Sequence, residues 1–403
     1  MIEALFLLLP VAAASGWWLA RRELRSHAEG VGPTHPDFLR GLNYLLEEQP
    51  DKAIDTFLKL AEVDGETAET HLALGSLFRR RGEVERAIRL HQNLVERRNL
   101  SPELRGFALF ELGQDYMRAG LLDRAEGLFL ELVERGLHQQ RALQALRDIY
   151  QQERDWMKCL EVAERLKTCC DQAMIVETAQ YYCELAEDAR RRGDAAGAQR
   201  QLGSAQQADP NCVRAMMLEG LMALEQGDAE RALALFGRVA DRGAAYVPEI
   251  LPALIEAMRR LGYDDVLERL EALARRYASP PLMLSLCDLL AEERGPEAAL
   301  DLLTGYLTRY ADLAGLERLL ELEAHRAPTD SPEGQRIHVA HGVARQLLAR
   351  QPVYQCEKCG FQARALHWHC PSCKCWGTVL PVLPEEISCA AVESECPPES
   401  ARV

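Results

Sequence analysis

A phrase that returns about every 34 residues constrains this chain more than any other feature. It reads as a helix, a Gly or polar turn, and a second helix with a small residue early in it. Gly82-Glu-Val-Glu-Arg-Ala87, Gly120-Leu-Leu-Asp-Arg-Ala125, Gly193-Asp-Ala-Ala-Gly-Ala198 and Gly227-Asp-Ala-Glu-Arg-Ala232 all carry it. The equivalent small or apolar positions are Ala53, Ala87, Ala125, Cys159, Ala198, Ala232, Leu267 and Ala299, at intervals of 34, 38, 34, 39, 34, 35 and 32 residues. A unit this short cannot bury its own apolar face. It must stack on its neighbours.

The residues around each small position fit that stacking. Upstream lie a small and an aromatic residue, as in Leu74-Gly75 with Phe78 and Leu112-Gly113 with Tyr116. Gly or Ala lets paired helices approach closely, and the aromatic fills the gap toward the next pair. Phe57, Phe129 and Phe236 follow Ala53, Ala125 and Ala232 by one helical turn, on the same face. The period is that of tetratricopeptide repeats, which predicts an all-α superhelix with a concave groove suited to peptides or protein segments. Arg147 and Cys159 make the fourth unit degenerate, and Asp209-Pro210 closes a repeat where its helix must stop. The array holds no Gly-rich phosphate loop, nucleophile elbow or H-E-x-x-H motif, so it is not expected to be an enzyme. Arginine runs at 79–81, 190–192 and 259–260 each end a helix ahead of Gly82, Gly193 or Gly262, where cations complement the helix dipole.

Before the array, residues 2–20 (IEALFLLLPVAAASGWWLA) carry a single charge, Glu3. Nineteen residues at about 1.5 Å each span roughly 28 Å, enough for a bilayer core. Trp17 and Trp18 sit where an interfacial aromatic belt would lie, and Arg21, Arg22 and Arg25 follow at once. The arginines hold that end in the cytoplasm and send the N-terminus outward. A cleaved signal peptide would instead begin with a positive region, and this chain begins Met-Ile-Glu.

After the array come a loop, His325 to Gln335, and a last helix expected over 336–350, stopped by Pro352. Two C-x-x-C knuckles follow, Cys356-Glu-Lys-Cys359-Gly360 and Cys370-Pro-Ser-Cys373. Their spacing can deliver four thiolates to one tetrahedral ion. So small a module buries little, and metal binding would supply much of its folding energy. Gly360 suits the positive φ of a knuckle turn, and Phe361, Trp368 and Trp376 offer apolar cover. His367, His369 and Cys375 are alternative donors, but the two matched turns favour the set Cys356, Cys359, Cys370 and Cys373. Spacing does not choose between iron and zinc.

Composition narrows the partners. The net charge of -15 opposes nucleic-acid binding, which needs a cationic face. Thirteen cysteines, an odd number scattered partly through helical patterns, do not form a disulfide framework; a reducing compartment keeps the knuckle thiols available for metal.

The order of anchor, repeats and metal knuckle resembles the lipopolysaccharide assembly protein B family, over nearly the whole chain. The most specific segments are Leu5-Phe-Leu-Leu-Leu-Pro-Val-Ala-Ala-Ala14 with Gly16-Trp17 and Arg21-Arg22, Gly82-Glu-Val-Glu-Arg-Ala-Ile-Arg89, Cys356-Glu-Lys-Cys-Gly-Phe361 and Trp368-His-Cys-Pro-Ser-Cys373. The resemblance implies a transmembrane anchor over 1–20, a juxtamembrane linker over 21–35 and repeats over 36–325. A loop and final helix over 326–352 then lead to a rubredoxin-like domain over 353–383 and a disordered acidic tail over 384–403. The family departs from this sequence at that Cys-containing tail. The implied role is an adaptor at the bacterial inner membrane. It promotes degradation of the UDP-3-O-acyl-N-acetylglucosamine deacetylase of lipid A synthesis by the membrane-anchored AAA+ zinc protease. Other lipopolysaccharide synthesis and transport proteins complete the implied partner set. The rival reading is an electron-transfer or redox-sensing protein, since rubredoxin-like sites can cycle iron.

Overall fold

The computed structural model describes residues 66–386, apart from 98–99, 171–173, 278, 329–330 and 384, with isolated positions before residue 66. The expected anchor and linker, Ala53, Phe57 and the tail from residue 387 lie outside the described residues. Among the described residues no helix is long and apolar enough to cross a membrane.

The chain divides into two units, residues 1–172 and 173–403. In unit 1 the helices are α1 (Glu66–Arg80), α2 (Val84–Glu96), α3 (Pro102–Arg118), α4 (Leu122–Glu134), α5 (Gln139–Glu153) and α6 (Trp156–Cys170). Unit 2 contains α7 (Ile175–Arg191), α8 (Ala195–Ala208), α9 (Val213–Glu225), α10 (Ala229–Arg242), α11 (Val247–Arg260) and α12 (Val266–Arg276). It continues with α13 (Pro280–Arg294), α14 (Pro296–Leu307), β1 (Tyr310–Ala311), α15 (Leu313–Arg326) and α16 (Pro332–Leu348). The short strands β2 (Tyr354–Cys356), β3 (Gln362–Ala363), β4 (Val379–Pro381) and β5 (Glu385–Glu386) complete it.

Within each unit the helices pack as antiparallel pairs. Consecutive first helices (α1 with α3, α3 with α5, α7 with α9, α9 with α11) also touch one another, so they line the inner side of each stack. The periodic small positions account for the pairing. Ala87, Ala125, Cys159, Ala198, Ala232 and Ala299 are fully buried and Leu267 nearly so. Gly113 shows why the small residue is required. A Cβ there would stand 2.7 Å from the ring of Phe129, which is itself fully buried. Gly220 meets Phe236 in the same way. Gly82 ends α1 in the left-handed region at φ 86°, which glycine adopts without steric cost.

The arginine runs do more than complement helix ends. Arg79 binds Glu111 at 2.5 Å and Asp115 at 2.7 Å, and the fully buried Asp115 also takes Nδ1 of His91 at 2.5 Å. Arg190 reaches Glu225 and Arg259 reaches Glu292, each again on the next repeat's first helix. The ion pairs therefore join neighbouring repeats at the same step as the core.

Three expectations need correction. The chain is not all-α, because β3-β2-β4 form an antiparallel sheet carrying the metal knuckles and β1 pairs with β5. The last helix starts at Pro332 rather than 336: the Ser331 hydroxyl accepts from the Gly334 N–H, and proline suits the first turn, where its missing N–H costs nothing. The tail is ordered at its beginning, since Tyr310 and Ala311 pair with Glu386 and Glu385.

Candidate metal centre

Two knuckles of the same build hold the four expected cysteines. In the first, the Gly360 N–H donates to the Cys356 carbonyl and the Cys356 N–H donates to the Phe361 carbonyl. In the second, Lys374 donates to Cys370 and Cys370 to Cys375 through the same backbone groups. Gly360 and Lys374 occupy equivalent left-handed positions at φ 73° and 58°. The lysine there is a strained choice for a side chain with a Cβ.

The knuckles bring the Sγ atoms of Cys356, Cys359, Cys370 and Cys373 within 4.8 Å of one another. The Cys356–Cys373 and Cys359–Cys370 sulfur distances are both 3.7 Å. A disulfide needs about 2.05 Å. A tetrahedral ion with bonds of about 2.3 Å sets its sulfurs roughly 3.8 Å apart, so the cage fits one thiolate-bound metal. Cys356 and Cys370 are buried and Cys359 is exposed.

The tetrad's protons are unevenly held. The Thr378 hydroxyl, 3.3 Å from the Cys356 sulfur, with the Cys359 and Lys358 backbone N–H groups, brings that thiol down to about 6 against its burial. At Cys359 the Phe361 N–H is the largest influence, and the thiol again lies below its ordinary value. Cys373 feels a downward pull from the Cys375 N–H. Burial and hydrogen bonds with Cys370, Cys356 and Cys359 outweigh it and push the thiol up to about 12. One thiolate thus forms readily and opposes the last, a conflict that a bound cation removes.

The alternative donors are engaged elsewhere. Nε2 of His369 faces the Lys374 carbonyl at 3.0 Å, and its ring stacks on Trp376. Cys375 directs its sulfur to the Cys373 carbonyl, and His367 meets the edge of Phe361.

The module packs against unit 2's own helices. Trp368 stacks on Tyr246 at 4.9 Å between ring centres, and Trp376 meets Tyr181 of α7 edge-on at 5.9 Å. Leu366, Trp368 and Leu380 join the apolar core of α9 to α13. The Tyr354 hydroxyl donates to Glu249 of α11. Beneath Trp368 lies the buried Arg214 of α9, its guanidinium 5.5 Å from the ring centre. It donates to Gln180 at 3.1 Å, Glu184 at 2.8 Å and Glu187 at 2.9 Å. Tyr181, Arg214 and Glu249 belong to the first helices α7, α9 and α11, and Tyr246 lies in the turn just before α11, so the module lies against the inner side of the unit 2 stack.

Sequence reasoning missed Arg214, Tyr181, Tyr246 and Glu249, and read Trp368 and Trp376 as apolar cover for the metal site. Arg214 did leave a signal, since an arginine inside Cys212-Val-Arg-Ala-Met-Met217 stands on an otherwise apolar face.

Comparison with known proteins follows the same division. Residues 354–381 match the rubredoxin metal binding domain family, and residues 70–103 and 183–247 match tetratricopeptide repeat families. Lipopolysaccharide assembly protein B of Escherichia coli (strain K12) is 37% identical over 384 residues, covering 95% of this chain and 98% of that protein. The chain belongs to the lipopolysaccharide assembly protein B family. The Haemophilus influenzae (strain Rd) member of the family is 33% identical, over 96% of this chain and all of that protein. Family membership thus spans repeats and metal module together.

Proposed function

We propose that the chain is an inner-membrane adaptor in lipopolysaccharide assembly, anchored by residues 1–20 with the remainder in the cytoplasm. In this reading it presents the lipid A pathway deacetylase to the membrane-anchored AAA+ zinc protease and so limits synthesis. Cys356, Cys359, Cys370 and Cys373 hold one structural iron or zinc ion. The observation that carries the reading is the docked module. Trp368, Trp376 and Leu366 are committed to the repeats, as expected of an ion that shapes a binding surface. The family's name supplies the pathway. The exposed Cys359 favours one rival, electron transfer through the metal edge.

Deacetylase half-life in cells decides between them. Protein loaded with redox-inert zinc should shorten the half-life as well as iron protein does, and removal of residues 1–20 should abolish the effect at native abundance. Regulation by iron protein alone would establish the electron carrier instead.

A further inference from the structure

Unit 1 has an inner face of its own, lined by the first helices α1, α3 and α5. A cavity of about 460 Å³ opens there between α1 and α3, lined by Arg79, Arg80, Gln114, Met117 and Arg118. Its arginines differ in kind. Arg79 is consumed by Glu111 and Asp115. Arg80 and Arg118 are exposed, and among the described residues neither makes an ion pair. Phe110, Gln114 and Met117 share one face of α3 at helical spacing, and Arg141 of α5 lies over the Phe110 ring at 4.4 Å. The exposed Arg141 likewise makes no ion pair among the described residues. In a chain of net charge -15, three guanidinium groups on α1, α3 and α5 that make no ion pair among the described residues are a local reversal of sign.

We propose that this face of unit 1 binds an acidic linear segment of a partner protein, whose carboxylates pair with Arg80 and Arg118 while an apolar side chain rests on Met117. Guanidinium groups take carboxylates through two parallel N–H donors, which fixes the segment's position as well as its charge. The carboxylates already in the face do not compete, because Arg79 neutralises Glu111 and Asp115 is buried beneath it. The proposal rests on the adaptor reading for the existence of a partner and adds the chemistry by which that partner is recognised.

The test uses the full-length protein in neutral detergent and a fluorescent peptide of alternating glutamate and leucine, read by anisotropy. Wild-type protein should bind it, with affinity falling as salt is raised. Arg80→Gln or Arg118→Gln should each weaken binding roughly tenfold, and the pair roughly a hundredfold. Both side chains are exposed, so the melting temperature should not move. Arg275→Glu, on the exposed surface of α12, should leave affinity within about twofold. Unchanged affinity in the double variant would overturn the proposal, as would equal binding of a lysine–leucine peptide. So would displacement of the peptide by vesicles of anionic lipid, which would make the face a membrane contact. No lipopolysaccharide enzyme enters this measurement, so its failure leaves the adaptor reading intact; normal peptide binding without regulation in cells would do the reverse.

Discussion

The metal module and the helical array stand at opposite ends of what can hold a chain together. The array spreads its stability over many equivalent sites: Ala87, Ala125, Ala198 and Ala232 are each fully buried, with Phe129 and Phe236 filling the same place in different repeats. The module's own apolar cluster has four buried members, Tyr354, Cys356, Cys370 and Val379, and two of them are candidate metal donors. Damage to the array should be local and graded. Damage to the module should be all or none.

The sharpest way to break this contrast is Cys370→Ser. Apparent ion-binding energies in comparable zinc modules are about 10–16 kcal/mol and are coupled to folding, so the substitution should release the metal and unfold the module. Elemental analysis should show loss of metal while far-ultraviolet circular dichroism keeps its helical signal. Cys375→Ser and His369→Gln should retain metal. Retention in the first variant, or loss in either control, would reassign the ligands.

Phe236→Ala probes the array. A fully buried phenylalanine removed from beside Gly220 should cost about 3–5 kcal/mol. Hydrogen exchange should place that loss in α9, α10 and their neighbours, with metal content unchanged. A loss spread evenly over all repeats would mean that the array unfolds as one body.

Between the two regions lies Arg214. Arg214→Met leaves Glu184 and Glu187 without their cation. Both carboxylates keep some solvent, so the expected cost is roughly 2 kcal/mol, below that of breaking a fully buried pair. Faster proteolytic cleavage around residue 350, with metal still bound, would report undocking. An unchanged cleavage rate would show that the aromatic contacts suffice.

The smallest expected effect concerns Glu111. Burial alone would raise its carboxyl, but hydrogen bonding and charge from Arg79, with the Ser76 hydroxyl, hold it below the ordinary value of 4.5. A depressed folded-state value adds stability above the unfolded value and loses it as pH falls through the folded one. Unit 1 should therefore lose stability as pH falls below about 4.5, and Glu111→Gln should flatten that part of the stability profile. An identical acid profile in the variant would remove Glu111 from the account.

The legibility of these features in the sequence follows their range. Small residues at the repeat step were readable because every unit restates the same steric demand, so that even Cys159 and Leu267 could be placed in degenerate units. The knuckles were readable because one ion imposes their spacing. Trp368 and Trp376 were legible as apolar cover beside the knuckles, but their partners in the repeats were not. Tyr181, Arg214 and Tyr246 belong to repeats whose period does not need them, and their roles arise only when a distant segment folds back. The β1–β5 pair was hidden for the same reason, since Glu385-Glu386 has the composition of a solvated tail.

That fold-back has a kinetic consequence. Within the array, tertiary hydrogen bonds join residues such as Arg79 and Glu111, 32 positions apart, whereas the Tyr354–Glu249 bond spans 105. Short-range pairs close early and cost little loop entropy, while long-range ones must wait for both surfaces to exist. Helix pairs can thus form one after another as the chain lengthens, and the module, which also needs its ion, arrives last. Until it does, the inner face of unit 2 stands open with Arg214 uncovered by Trp368.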